Sequence, residues 1–134
     1  MSAKRRILVV DDEPSIVKMV SKRLEVEGFD VLIAMDGEEG LAKAQTESPD
    51  LIVLDLMLPK INGYEVCGQL KQDARYQKIP IMLFTAKVQA KDEQLGKECG
   101  ADAYIRKPFQ GKELVDTIRT LLAGGSVQTK GVNS

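Results

Sequence analysis

Leu51-Ile52-Val53-Leu54-Asp55 constrains this chain more tightly than any other stretch. Four consecutive apolar residues without polar alternation describe a strand buried on both faces, as in a parallel sheet covered by helices. A carboxylate closes the run where the strand should leave the core, and a charge there is costly unless something pairs with it. Two other runs have the same form. Ile7-Leu8-Val9-Val10 leads into Asp11-Asp12-Glu13, and Ile81-Met82-Leu83-Phe84 ends at Thr85.

Helical spacing fills the intervals between these runs. Pro14 suits a first helical turn, where its missing N–H is not needed; Ile16, Val17, Val20 and Leu24 then recur on one face, and Gly28 supplies a stop. Residues 31–34 predict a second strand and Asp36-Gly37 a turn or cap. A helix carrying Leu41, Ala42 and Ala44 ends before Pro49. After the third strand, Pro59 and Asn62-Gly63 mark a loop. Asn62 and Glu65 are spaced as a capping pair for a helix that turns Val66, Cys67 and Leu70 inward. A helix around Lys91 to Cys99 has few apolar positions and an interior Gly96, which costs roughly 1 kcal/mol against alanine. Such weak packing is also what a movable element would show. Ala103-Tyr104-Ile105 predicts a short fifth strand, followed by Arg106-Lys107-Pro108-Phe109. Leu114, Val115, Ile118, Leu121 and Leu122 stripe the last helix before Gly124-Gly125.

Five strands alternating with five helices predict a doubly wound α/β domain, a five-stranded parallel sheet with helices on both faces and right-handed crossovers. One domain is expected over 1–123, followed by a flexible polar tail over 124–134. The 134 residues suffice for one sizeable core. With 19 basic and 20 acidic residues, the net charge of −1 gives no global field for nucleic acid. No apolar stretch approaches a membrane span, and the start lacks a signal peptide's apolar region, so a cytoplasmic location is expected. The chain has no histidine and two cysteines, Cys67 and Cys99, which does not support a zinc site or a Cys-His nucleophile. Both cysteines read as small, half-buried side chains rather than redox partners.

The residues that end the strands form a set. The first strand gives Asp11 and Asp12, the third Asp55 and the fourth Thr85; Lys107 follows the fifth, and the second gives nothing comparable. With strands one, three, four and five adjacent, these groups converge at the carboxyl edge of the sheet, where function gathers in such folds. Three carboxylates close together repel, by about 4 kcal/mol per pair at ~4 Å in an intermediate dielectric. A hard divalent cation relieves this, and oxygen-only ligands point to Mg²⁺ or Mn²⁺. A remaining carboxylate oxygen could attack phosphorus to give an acyl phosphate. Lys107 and Thr85 would supply a cation and a hydroxyl donor to the phosphoryl oxygens.

Val-Val-Asp-Asp-Glu-Pro at 9–14, Leu-Asp-Leu-Met-Leu-Pro with Asn62-Gly63 across 54–63, Phe-Thr-Ala at 84–86 and Lys-Pro-Phe at 107–109 resemble the receiver domain of two-component response regulators. Order and spacing agree from about Arg6 to Leu122. The resemblance, which extends to chemotaxis regulators, implies the flavodoxin-like strand order 2-1-3-4-5. It implies that Asp55 is the phosphoacceptor. Mg²⁺ would be bound by Asp12, Asp55 and the backbone carbonyl of Met57, with Asp11 acting directly or through water. Thr85 matches the hydroxyl that swings toward the phosphoryl group, Ala86 can offer its backbone N–H, and Lys107 matches the phosphate-pairing lysine. In this family the bond from that lysine to the next proline is typically cis. Tyr104 matches the aromatic switch position, and Glu13 fits the acidic turn, its charge favouring the helix N-terminus.

By the same resemblance, a sensor histidine kinase or histidine phosphotransfer protein donates the phosphoryl group. The output passes to a downstream protein through the face made by the fourth helix, fifth strand and fifth helix. The domain would catalyse only its own phosphorylation and dephosphorylation. A single-domain regulator is expected, with a receiver excised from a multidomain transcription factor or enzyme as the alternative. Direct nucleic-acid binding by this chain is not expected, for want of a recognition helix. Monomer and phosphorylation-dependent dimer both remain open. A phosphatase of the haloacid dehalogenase kind would carry a second aspartate two positions after its nucleophile, where this chain has Met57. A flavodoxin-like electron carrier would need a phosphate-cradling loop where Asp11-Asp12-Glu13 would repel the phosphate.

Overall fold

In the computed structural model, which describes residues 4–85 and 98–125, β1 (Arg6–Val10) and β3 (Leu51–Asp55) lie side by side within a five-stranded sheet. β2 (Asp30–Ala34) flanks β1, while β4 (Ile81–Thr85) and β5 (Ala103–Arg106) continue beyond β3. The order is 2-1-3-4-5, and every pairing is parallel. The doubly wound sheet is the one expected from the alternation of elements, and its flavodoxin-like order is the one the family resemblance implied.

The continuous apolar runs follow from the layers on either side. Side chains alternate across a strand with a period of two, so a strand covered on both faces must be apolar at every position. On one face Ile7, Val9, Val53 and Phe84 pack with Val20 and Leu24 of α1 (Pro14–Val26) and with Leu114 and Ile118 of the C-terminal helix (Gly111–Leu122). On the other, Leu8, Val10, Ile52, Leu54 and Leu83 pack with Ala44 of α2 (Gly37–Glu47) and with Val66 and Leu70 of α3 (Gly63–Lys71). β2, at the sheet edge, is only partly covered, and Ile33 is 36% exposed.

Local signals set the helix ends. Pro14 occupies the first turn of α1, and Gly28, at φ +97°, adopts the left-handed conformation that lets the chain leave the helix. The Asp36 carboxylate accepts from the backbone N–H of Glu39 at 2.8 Å, and the Asn62 side chain accepts from that of Glu65 at 2.9 Å. Each satisfies an N–H that a helix start leaves without an internal partner. Glu13 stands at the N-cap of α1, where its side chain makes no capping hydrogen bond. Ala42 faces solvent, and α2 buries Gly37, Gly40 and Ala44 instead.

The helix expected around Lys91 to Cys99 falls outside the described residues except for Glu98 and Cys99, as does the tail from 126 onward. Cys67 is fully buried on the inner face of α3, where a half-buried thiol was expected; Cys99 is half-buried. No described helix is long and apolar enough to cross a membrane.

Candidate functional site

Because all five strands run parallel, their carboxyl ends open on one edge, and register decides which side chains meet there. Val10 pairs with Leu54, so Asp11 emerges beside Asp55. Asp55 pairs with Phe84, and Thr85 with Arg106, which brings Lys107 to the same edge. Asp11 is fully buried, Asp55 is 4% exposed, and Asp12 is exposed. Carboxylate oxygens of these three aspartates lie within 4.8 Å of one another.

Hydrogen bonds fix the two buried carboxylates differently. Asp11 has both oxygens engaged: the backbone N–H of Glu13 donates to one at 2.9 Å, and Lys107 Nζ to the other at 2.8 Å. Asp55 has weaker support. The Met57 N–H donates to it at 3.3 Å, and Lys107 Nζ stands 3.7 Å away. The lysine therefore leans toward Asp11 while remaining close to Asp55. Its ammonium also lies 4.5 Å from the centroid of the Phe84 ring, a favourable cation–π contact, and Phe84 in turn meets the Phe109 ring at 5.9 Å. The Lys107–Pro108 bond is cis.

Burial first, and then the Asp11 charge, raise the Asp55 carboxyl from its ordinary 3.8 to about 6, against the opposing pull of Lys107 and of backbone N–H donors. Among the described residues, one ammonium, that of Lys107, stands against this cluster of three carboxylates. That excess of negative oxygen, with no nitrogen or sulfur ligand in the cluster, fits a hard divalent cation such as Mg²⁺.

The family model for the response regulator receiver domain matches residues 7–119. The chain belongs to this family. Receiver-containing relatives include the alkaline phosphatase synthesis transcriptional regulatory protein PhoP of Bacillus subtilis. It is 52% identical over 120 residues, which cover 88% of this chain and 48% of that protein. The DNA-binding response regulator MtrA of Mycolicibacterium smegmatis is 46% identical over 119 residues, covering 89% of this chain and 51% of the relative. The chain spans about half the length of these curated relatives, one named a transcriptional regulatory protein and the other a DNA-binding response regulator.

Solved receivers share the fold closely. A CheY-like receiver domain protein of Methanospirillum hungatei is 31% identical with a TM-score of 0.86, covering 91% of this chain and 96% of that one. The chemotaxis protein CheY4 of Vibrio cholerae is 36% identical with a TM-score of 0.82, covering 87% and 98%. Receiver domains typically use Mg²⁺, in keeping with the acidic cluster.

The other expected receiver residues are distributed as follows. Thr85 closes β4, and Ala86 lies outside the described residues. Met57 follows Asp55 by two positions with its side chain 65% exposed. Tyr104 sits in β5, half-buried and packed against the cluster that contains Leu83 and Val66.

Two contributors escaped the sequence reading. Phe84 reads as one more core residue, yet its ring forms the platform beneath the Lys107 ammonium. Gly63 reads as a turn residue beside a capping asparagine. A Cβ at that position would stand 2.3 Å from the Asp55 carbonyl oxygen, so only glycine lets α3 begin against the Asp55 backbone. The Asn62-Gly63 dipeptide was the available signal; the close approach it permits depends on how α3 packs.

Proposed function

We propose that this receiver accepts a phosphoryl group on Asp55 from a phosphohistidine of a sensor histidine kinase or histidine phosphotransfer protein, in a step that requires Mg²⁺. One observation carries the reading: a carboxylate 4% exposed, clustered with two others within 4.8 Å and standing 3.7 Å from a lysine ammonium. Asp11, Asp12, Asp55 and the Met57 carbonyl would hold the ion, which when bound supplies positive charge against the carboxylates and the phosphoryl oxygens. An Asp55 carboxylate oxygen attacks phosphorus in line with the leaving group. The phosphorus–nitrogen bond breaks, its electron pair stays with the imidazole, and an acyl phosphate remains on Asp55. With its pKa near 6, Asp55 is mostly ionised at neutral pH and available to attack.

Lys107 would pair with a phosphoryl oxygen of the product, drawing part of its charge away from Asp11. The Thr85 hydroxyl and the Ala86 N–H would supply further donors. Tyr104 would turn inward, shifting a pre-existing equilibrium of the face made by the fourth helix, β5 and the C-terminal helix. Hydrolysis of the acyl phosphate resets the domain, so the protein catalyses only its own phosphorylation and dephosphorylation.

The test is incubation with Mg²⁺ and acetyl phosphate, followed by intact mass and peptide mapping. A single phosphoryl gain on the peptide carrying Asp55, absent in Asp55→Asn and in chelator, is expected. Phosphoryl retained by Asp55→Asn, or no gain in the native chain, would overturn the reading.

The names of the curated relatives support a second reading of the output. The phosphorylated receiver would govern a DNA-binding partner, carried on the same polypeptide or on another. The downstream reading frame of the gene distinguishes these arrangements.

A further inference from the structure

Away from the carboxylate edge, the two cysteines meet. Cys67 is fully buried in α3, while Cys99 is half-buried in the turn that leads toward β5. The Cys67 thiol donates to the Cys99 carbonyl oxygen at 3.5 Å, which sets the two residues side by side. Both side chains pack in the apolar cluster beneath α3.

Exposure divides their chemistry: Cys67 is enclosed, whereas Cys99 is partly open to solvent. The hydrogen bond from Cys67, helped by the Ala101 N–H, holds the Cys99 thiol below its ordinary range against the opposing effect of burial. The same bond, together with burial, pushes the Cys67 thiol well above its range. The nearby Lys71 ammonium favours negative charge on either sulfur. One sulfur is thus a partly accessible nucleophile, and the other a buried thiol that keeps its proton. A nucleophilic cysteine beside a resolving one is the arrangement that oxidises reversibly, whereas an isolated buried thiol is inert.

We propose that Cys67 and Cys99 form a reversible intramolecular disulfide when the protein meets a peroxide. The Cys99 thiolate attacks a peroxide oxygen; the O–O bond breaks and hydroxide leaves, taking up a proton. The sulfur is oxidised by two electrons to a sulfenic acid. The Cys67 sulfur gives up its proton, attacks the Cys99 sulfur and expels its hydroxyl as water. In balance, two thiols and one hydrogen peroxide give one disulfide and two waters; a dithiol then restores both thiols by exchange and is itself oxidised to a disulfide.

The bridge would tie α3 to the connection entering β5, the strand that carries Tyr104. Oxidation would thereby hold the switch face in one arrangement. That consequence rests on the proposed function; the disulfide itself does not, and the two are measured separately.

The experiment treats the full chain, without metal or phosphodonor, with hydrogen peroxide and reads it by non-reducing intact mass and peptide mapping. The monomer should lose the mass of two hydrogens, yield a linked Cys67–Cys99 peptide, and recover with dithiothreitol. In Cys67→Ala a sulfenic-acid-specific dione should label Cys99, whereas in Cys99→Ser Cys67 should stay unlabelled. Alkylation of the untreated native chain should modify Cys99 roughly tenfold faster than Cys67, or more. Should Cys67→Ala fail to fold, the linked peptide and the alkylation rates of the native chain decide alone. Intermolecular disulfides only, oxidation of Cys99 without a linked peptide, or faster alkylation of Cys67 would each overturn the proposal.

Discussion

Replacing Asp55 should stabilise the metal-free fold, and the gain should depend on pH. Burial and the Asp11 charge raise the Asp55 pKa from 3.8 to about 6. A group whose folded pKa lies above its unfolded one favours the native state below both values, and that contribution is lost as pH rises through the folded pKa. Between pH 4 and 6 the unfolded chain ionises Asp55 while the folded chain keeps it protonated. Above about pH 6 the native state carries the full penalty of an ionised, buried carboxylate. The difference corresponds to about 3 kcal/mol, an upper figure because relaxation and water entry would reduce it.

Asn at 55 is nearly isosteric and uncharged. It leaves Lys107 its shorter contact to Asp11 at 2.8 Å, so no ammonium is stranded. In chelator, Asp55→Asn should therefore match the native chain near pH 4 and exceed it at pH 7.5 by up to about 3 kcal/mol, on the order of 10 °C in melting temperature. Mg²⁺ should raise the native chain's melting point and narrow the gap. Thermal melts of both proteins across pH 4 to 8, with and without Mg²⁺, provide the assay. Parallel curves, or a variant less stable than the native chain at pH 7.5, would refute the reasoning from burial and charge.

Lys107→Ala leaves the fully buried Asp11 without its cation. It should cost about 3 kcal/mol in denaturant midpoint without metal, and a loss under about 1 kcal/mol would contradict the pairing. Gly63→Ala forces a Cβ to within 2.3 Å of the Asp55 carbonyl. A destabilisation of about 2 kcal/mol or more is expected from urea unfolding, and unchanged stability would show that α3 shifts freely. Asp12 is exposed, so Asp12→Ala should change stability by less than about 0.5 kcal/mol while weakening Mg²⁺ binding in a titration. Unchanged affinity would remove Asp12 from the metal site.

Much of this fold can be read from local chemistry. Runs such as Leu51–Leu54 are apolar at every position because helices cover both faces, and that demand appears in four consecutive residues. The caps at Asp36 and Asn62 act on backbone only three residues away, so their signal is equally local. The strand ends likewise put Asp11, Asp55 and Lys107 on one edge, since parallel strands must open together, and the strand order implied by the family resemblance made them neighbours.

Tertiary structure alone decided how those neighbours divide their interactions. Lys107 leans to Asp11, 96 positions away, and rests over Phe84, because sheet register and core packing fix distances that no local pattern encodes. The raised pKa of Asp55 is likewise a property of its enclosure. Cys67 and Cys99, read as unrelated side chains, share a hydrogen bond because α3 packs beside the approach to β5. Periodicity and capping act over a few residues and leave their mark in the sequence. Contacts that close long loops exist only once the core has set the layers against each other.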